Sequence, residues 1–254
     1  MIQKYIYGDP IETDAVIKEI PTSEGHPSYG TISTQDGFSF TYIMQPEDIV
    51  YGLGESNRGI NKRGFLYVSN CTDEPNHTED KQSLYGAHNF IIVDGINHSF
   101  GLFVDYPTNL TFDIGYTRQD TLSITCADAD LKLYVIDGSD AYDITRQFRH
   151  IIGRSYIPPR FAFGFGQSRW GYEKPEDIRK VVSEHRKAHV PLDMVYMDID
   201  YMDGYKDFTV NTEAFPDFKG FVDEMKEDHI HLVPIIDAGV KIEEGYDAYE
   251  EGLA

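Results

Sequence analysis

The fold is decided by the stretch PEDIRKVVSEHRKAHVPLDMVYM at residues 175–197 and by its continuation PDFKGFVDEMKEDHIHLVPII at residues 216–236. Each stretch begins with a proline, which suits a helix start because the N–H that proline lacks has no partner in a first helical turn. An amphipathic helical repeat follows each proline, and a short apolar run follows each helix, at 192–197 and 232–236. Helices that alternate with apolar strands in this way predict parallel βαβ units.

The residues before this stretch add one more strand to the pattern. The run 161–165 is short and apolar, and we expect it to be the first strand of the parallel sheet. Three βα units can begin either a doubly wound sheet or a (β/α)8 barrel. Gly164 and Gly166 are not followed by a third glycine at the spacing that a dinucleotide-binding loop requires. The predicted architecture is therefore the first part of a (β/α)8 TIM barrel, incomplete in this chain.

The first half of the chain has a different periodicity. Aromatic and β-branched residues alternate in several short runs, and turn signals such as Asp-Gly separate these runs. Many short strands with regular turns are typical of a β-sandwich. The clearest predicted strands are 37–44, 90–93, 101–104 and 131–136.

A helix should close the sandwich. Ser139 or Asp140 can cap it, because a short oxygen side chain accepts a hydrogen bond from a free first-turn N–H, and Gly153 is placed to end it. The segment 156–159, Tyr-Ile-Pro-Pro, cannot continue a helix. We therefore expect residues 1–153 to form the N-terminal β-sandwich with its closing helix. Residues 154–254 should form the first three βα units of the barrel.

Composition and charge exclude several classes of function. The net charge is −21, which argues against nucleic acid and against an anionic membrane surface, since both bind clustered Lys and Arg. Hydrophobic residues make up 41% of the chain, enough to bury a sizeable core. The N-terminus carries no signal-peptide pattern and no apolar run is long enough to span a bilayer, so we expect a cytoplasmic protein that binds neither nucleic acid nor membrane.

Chemistry in a (β/α)8 barrel takes place at the carboxyl ends of its strands. The three predicted strands lead into Trp170, into Asp198 and Asp200, and into Asp237. Asp198 and Asp200 alternate along the chain and should point to the same side, where a carboxylate can accept hydrogen bonds from adjacent sugar hydroxyls. The alternative is that these aspartates cap the following turn or pair with Arg169, and that Trp170 packs in a core.

Two aspartates could also suggest a metal site. The chain contains no His-Glu-x-x-His spacing and no Gly-x-Ser-x-Gly elbow. We therefore predict no metal and no cofactor.

Five motifs resemble those of one enzyme family. Residues 197–209, MDIDYMDGYKDFT, are similar to the α-glucosidase form of the signature that follows the second barrel strand in glycoside hydrolase family 31. Residues 51–55, YGLGE, and 84–90, LYGAHNF, resemble motifs of that family's N-terminal sandwich. Residues 169–172 and 235–239 resemble the ends of its first and third barrel strands. The resemblance therefore covers the chain from about Tyr51 to its end.

This resemblance implies retaining hydrolysis of terminal non-reducing α-linked glucose from oligosaccharides, a reaction of carbohydrate metabolism. It implies that Asp198 binds hydroxyls of that glucose, and that Ile199 and Ile235 form apolar walls of the pocket. Asp73, in the sandwich loop 71–75, would reach toward the substrate. Trp170 and Asp237, at the ends of their strands, would also line the substrate site, and Trp170 stands where relatives often have Tyr.

The resemblance also implies that both catalytic aspartates come from later barrel strands. No residue of this chain is therefore assigned as catalytic, and the fragment alone is predicted to be inactive. Three strands leave an open sheet edge, so we expect the remaining C-terminal part of the same enzyme to be its partner. The alternatives are an α-xylosidase or other family 31 specificity, a non-enzymatic carbohydrate-binding fragment, and an unrelated (β/α)8 enzyme.

Overall fold

The computed structural model describes residues 1–253, which separate into two compact units between Ser155 and Tyr156. This division lies two residues beyond the predicted domain boundary. No helix within the described residues is both long and apolar enough to cross a membrane. The two units are described one at a time.

The first unit is a β-sandwich of two antiparallel five-stranded sheets. The first sheet has the strand order β1-β10-β7-β6-β4 and the second has the order β2-β3-β9-β8-β5. The four predicted strands are confirmed as β3, β6, β7 and β10, with ends within two residues of those predicted. The ten strands are β1 (Ile2–Tyr7), β2 (Thr31–Ser33), β3 (Phe38–Ile43), β4 (Ile49–Gly52), β5 (Phe65–Ser69), β6 (Phe90–Asp94), β7 (Ser99–Asp105), β8 (Leu110–Ile114), β9 (Thr121–Cys126) and β10 (Leu131–Gly138).

The sandwich core follows from the alternation of side chains along each strand. In β3, Phe38, Phe40 and Tyr42 are buried, while the residues between them are half-buried. Because successive strand side chains point to opposite faces, one face of the sheet is apolar and packs inward. Each such buried side chain stabilises the fold by about 1.5–3 kcal/mol relative to an exposed one.

One helix, α1 (Ala141–Ile152), covers the outer face of the first sheet. Asp140 caps it by accepting a hydrogen bond from the Asp143 N–H at 2.8 Å, and Gly153 ends it with φ +92°. Both predicted helix signals are confirmed. The helix docks closely because Ile144, fully buried, fits against Gly101 of β7 and Gly138 of β10. A Cβ at either glycine would lie 2.6 Å from the Ile144 side chain.

The second unit begins a parallel sheet with helices between its strands, as predicted. Its strands β11 (Gly166–Arg169), β12 (Met194–Met197) and β13 (His231–Pro234) lie in that order and are all parallel. The connecting helices are α2 (Pro175–Lys187) and α3 (Phe218–Glu227), and α4 (Asp247–Leu253) follows β13. Apolar faces of α2 and α3 pack with strand residues in one cluster, of which Ile178, Val195 and Phe221 are buried members.

The first barrel strand was predicted wrongly at 161–165. Residues Arg160–Phe163 form a 3-10 turn, in which the Gly164 N–H donates to the Phe161 carbonyl, and the strand begins only at Gly166. A short apolar run fits a strand or a turn equally well, and here the side chains do not alternate toward a core, since Phe163 is 71% exposed. The true strand, Gly-Gln-Ser-Arg, is polar and gave no apolar signal.

Two further element boundaries differ from those predicted. Helix α3 begins at Phe218 rather than at Pro216, because the Asp217 carboxylate accepts the Gly220 N–H at 2.9 Å and so acts as the cap. Strand β13 ends at Pro234 rather than at Ile236. One ladder hydrogen bond, from the Ile235 N–H to the Met197 carbonyl at 3.0 Å, continues past its end.

Candidate functional site

The carboxyl ends of the three parallel strands bring three predicted site residues to one level. Arg169, Met197 and Pro234 are register partners across the sheet. Trp170, Asp198 and Ile235 each follow one residue later, so they occupy neighbouring positions on strands spaced about 4.8 Å apart. This end of a parallel sheet is where barrel enzymes build their sites.

Asp198 lies half-buried at the point where β12 turns into a short 3-10 helix, Ile199–Tyr201. Its Oδ1 accepts the Ile199 N–H at 2.7 Å, so the carboxylate does cap the following turn. A carboxylate has about four lone-pair sites, so this bond leaves most of its accepting capacity unused. Ile199 is also half-buried and packs against the apolar cluster of the unit.

Trp170 is 74% exposed and therefore does not pack in a core within the described residues. Its backbone is held by Arg169, whose Nε donates to the Trp170 carbonyl at 3.0 Å and whose guanidinium lies over the Tyr172 ring. Within residues 1–253 Arg169 forms no ion pair with Asp198 or Asp200, so the predicted alternative of an aspartate–arginine pair is not observed. Within the described residues, most of the Trp170 surface is accessible.

Residues 198–217, between β12 and α3, form the segment after β12. Three hydrogen bonds join this segment to the ends of the neighbouring strands. Asp200 Oδ2 accepts the N–H of Gly171 at 3.1 Å, directly after Trp170. The buried Tyr201 hydroxyl donates to the Ile235 carbonyl at 2.8 Å, and Asp207 Oδ1 accepts the Asp237 N–H at 2.8 Å.

Asp207 was missed by the sequence reasoning. It is 3% exposed, which is rare for an aspartate, and nothing in its local sequence spacing signals this burial. By contrast Asp237 is exposed, and its own Oδ1 accepts the adjacent Ala238 N–H at 2.9 Å. A groove of about 440 Å³ runs beside this segment, with Asp200, Tyr205 and Glu173 in its walls.

Asp73 belongs to the sandwich unit, where it is exposed on the segment between β5 and β6. The pKa of the Tyr85 hydroxyl is raised mainly by hydrogen bonding to Asp73 and next by burial. Arg58 holds the far side of the segment, since it donates to the carbonyls of Glu79 at 2.7 Å and Asp80 at 3.1 Å. The same guanidinium bonds the Leu66 carbonyl of β5 at 2.9 Å, so it joins the segment to the sheet.

No group of three or more His, Cys, Asp or Glu side chains in the part of the chain that the structure describes is arranged to hold a metal ion.

Comparison with known proteins identifies both units. A model of the glycosyl hydrolases family 31 TIM-barrel domain matches residues 155–254, and a model of that family's N-terminal galactose mutarotase-like domain matches residues 19–113. The chain is 32% identical to alpha-glucosidase 2 of Bacillus thermoamyloliquefaciens over 226 residues, which cover 85% of this chain and 29% of the relative. It is 30% identical to alpha-xylosidase 1 of Arabidopsis thaliana over 225 residues, which cover 83% of this chain and 24% of that protein.

A solved structure supports the fold. The GH31 dextranase of Flavobacterium johnsoniae complexed with glucose superposes with a TM-score of 0.73 at 23% identity, covering 87% of this chain and 26% of the dextranase chain. The chain thus spans less than a third of the length of these proteins.

Proposed function

Because the chain belongs to glycoside hydrolase family 31, we propose that it is the N-terminal portion of a retaining α-glucosidase. The whole enzyme would hydrolyse terminal non-reducing α-linked glucose from oligosaccharides. This chain would supply residues of the substrate pocket. The similarity to a bacterial α-glucosidase over 85% of the chain supports a glycosidase, and the α-glucosidase form of the motif at residues 197–209 supports glucose as the sugar.

The observation that carries the proposal is the common level of Trp170, Asp198 and Ile235 at the carboxyl ends of β11, β12 and β13. In this arrangement the Asp198 carboxylate accepts hydrogen bonds from two sugar hydroxyls, which are charge-assisted and therefore strong. The exposed Trp170 indole offers a flat face to a sugar ring, and Ile235 offers an aliphatic wall. A net charge of −21 suits an uncharged substrate better than an acidic one.

The bond-breaking groups belong to the rest of the enzyme. A retaining glycosidase needs a nucleophile and an acid/base whose carboxyl groups lie about 5–5.5 Å apart. The curated relatives named above are more than three times as long as the matched region, which leaves ample length for both groups. We propose that the remaining C-terminal part supplies them and that residues 1–254 alone are inactive.

The test is hydrolysis of p-nitrophenyl α-glucoside by the full-length enzyme and by its Asp198→Ala variant. Loss of two charge-assisted hydrogen bonds, each contributing about 1.5–3 kcal/mol, should lower kcat/KM by at least about a hundredfold. The matched control is Asp228→Ala, an exposed aspartate at the end of α3, before the amino end of β13. Equal activity of Asp198→Ala and the control would refute the pocket, and an inactive wild-type enzyme would refute the substrate.

A second specificity has an observation of its own. The chain is about as similar to a plant α-xylosidase as to the bacterial α-glucosidase, so identity alone does not separate glucose from xylose. The two sugars differ in the CH2OH group, for which a glucose pocket must leave space. Parallel assays with p-nitrophenyl α-xyloside decide between them, and a higher kcat/KM on the xyloside would replace the glucosidase proposal.

A further inference from the structure

Asp207 is the buried aspartate of the segment that follows β12. Its side chain is 3% exposed, yet it lies in a segment whose neighbours are at the surface. The hydrogen bond that its carboxylate accepts comes from the backbone N–H of Asp237, 30 residues later in the chain, at 2.8 Å. The contact therefore joins the segment after β12 to the segment after β13.

Burying a carboxylate is costly unless it is paired, because water must be removed from a charge. The adjacent Lys206 does not pair with Asp207. It forms ion pairs with Asp203 at 3.2 Å and Glu243 at 3.0 Å instead. Within residues 1–253 no Lys, Arg or His forms an ion pair with Asp207. Burial raises the pKa of the Tyr201 hydroxyl, and the nearby negative charge of Asp207 raises it further.

The backbone on both sides of Asp207 adopts strained conformations. Tyr205 and Phe208 have φ of +60° and +62°, in the left-handed region that residues with a Cβ rarely adopt. Such conformations persist only where surrounding contacts fix them. One of these contacts is the buried Tyr246 hydroxyl, which donates to the Asp207 carbonyl at 2.7 Å.

The segment that Asp207 holds is otherwise weakly fixed. After Pro234 the ladder to β12 continues through a single bond, from the Ile235 N–H to the Met197 carbonyl. Tyr201 adds a bond to the Ile235 carbonyl, and Asp207 fixes the backbone two residues further on. Ile236 is exposed in the described part of the chain, so packing does little to fix this segment there.

We propose that Asp207 is a positioning residue that fixes the backbone of Asp237, and thereby the substrate-facing edge formed by Ile235 and Asp237. This inference rests on the proposed function, because it assumes that the carboxyl end of β13 faces the substrate. Asp207 itself does not touch the sugar. Its charge strengthens the bond to the Asp237 N–H, since hydrogen bonds with an ionised acceptor are roughly twice as strong as neutral ones.

The experiment compares Asp207→Ala and Asp207→Asn in the full-length enzyme. Amide hydrogen exchange at Asp237 reads the hydrogen bond directly and does not depend on activity. The alanine variant should exchange at Asp237 at least about tenfold faster, and its kcat/KM for p-nitrophenyl α-glucoside should fall by roughly tenfold to a hundredfold, mainly through misplacement of the pocket. The asparagine variant keeps an acceptor oxygen, so both effects should shrink to about fivefold.

The outcomes separate this inference from the function on which it rests. Faster exchange at Asp237 together with graded activity loss, Ala greater than Asn, supports the positioning role. Unchanged exchange at Asp237 in both variants overturns the positioning role, whatever their activity. If exchange is unchanged and kcat/KM falls equally and strongly in both variants, Asp207 contacts the substrate directly. If the alanine variant does not fold, the asparagine variant decides by the same exchange criterion. Absence of glucosidase activity in the wild-type enzyme counts against the proposed function, while the exchange result still tests the bond.

Discussion

Replacing Arg58 should loosen the sandwich segment that carries Asp73. The guanidinium bonds the carbonyls of Glu79 and Asp80 in the segment and that of Leu66 in β5, so it joins the segment to the sheet through three hydrogen bonds. Lysine keeps the charge but presents a single rotatable ammonium, which cannot reproduce a planar fork. We therefore choose Arg58→Lys as the perturbation.

The magnitude follows from the bonds that lysine would lose. Two of the three bonds should disappear, and at partly exposed sites each contributes about 0.5–1.5 kcal/mol. The guanidinium also lies 4.3 Å from the Phe65 ring centre and 4.9 Å from that of Tyr67, contacts that contribute about 0.5–1 kcal/mol each and that lysine retains in part. A loss of about 1–3 kcal/mol raises the population in which the segment is detached by roughly fivefold to 150-fold.

The assay is hydrogen exchange of peptides covering residues 70–86, combined with kcat/KM of the full-length enzyme. Exchange in these peptides should accelerate by a similar factor, while peptides from β7 should not change. Arg118→Lys is the matched control, because Arg118 is 68% exposed and its contact with Asp120, at 3.6 Å, is long. Equal exchange in the two variants would refute the role of Arg58, whereas faster exchange with unchanged kcat/KM would count against the predicted approach of Asp73 to the substrate.

Two further predictions concern the stability of the sandwich. Gly101→Ala would place a Cβ 2.6 Å from the Ile144 side chain, so the free energy of unfolding, measured by urea denaturation, should fall by about 1–3 kcal/mol. In an Ile144→Ala background the same change should cost much less, because the side chain that it meets is gone. Additive effects of the two changes would contradict the packing argument. Burial raises the pKa of Tyr7 to about 12, and burial with a hydrogen bond to Asp137 raises that of Tyr29 to about 12. Below about pH 10 both hydroxyls are protonated in the folded and unfolded states; as the pH rises toward about 12 the unfolded state releases its protons first, so stability should fall across that window. A urea midpoint that stays constant from about pH 9 to pH 12 would count against this.

The parts of the fold that could be predicted are those set by neighbouring residues. Asp140 and Gly153 begin and end α1 through hydrogen bonds within their own turns, and Pro175 begins α2 because its missing N–H has no partner in a first turn. Each acts where the sequence placed it. The run 161–165 was wrongly predicted to be a strand, because an apolar pattern does not show whether the residues pack against a core. In the structure a 3-10 turn occupies most of that run, and the adjoining strand is polar.

The candidate site divides in the same way. The level shared by Trp170, Asp198 and Ile235 follows from the alternation of strands and helices, because parallel strands end at one edge of a sheet. The burial of Asp207 could not be predicted, since it depends on Asp237 and Tyr246, which lie 30 and 39 residues further along the chain. Pairing over such distances leaves no local periodicity to detect.

The segment after β12 therefore combines two kinds of residue that its sequence does not distinguish. Asp198 stands at the level of its neighbours on β11 and β13 and accepts the N–H of its own turn, while Asp200 and Asp207 each accept a backbone N–H from the end of an adjacent strand. A carboxylate that fixes a backbone N–H gives rigidity to the flanking pocket residues, and rigid placement is what orients a sugar for reaction. Substitutions at Asp200 and Asp207 should thus act through the residues they hold, whereas substitution of Asp198 should remove a contact with the sugar itself.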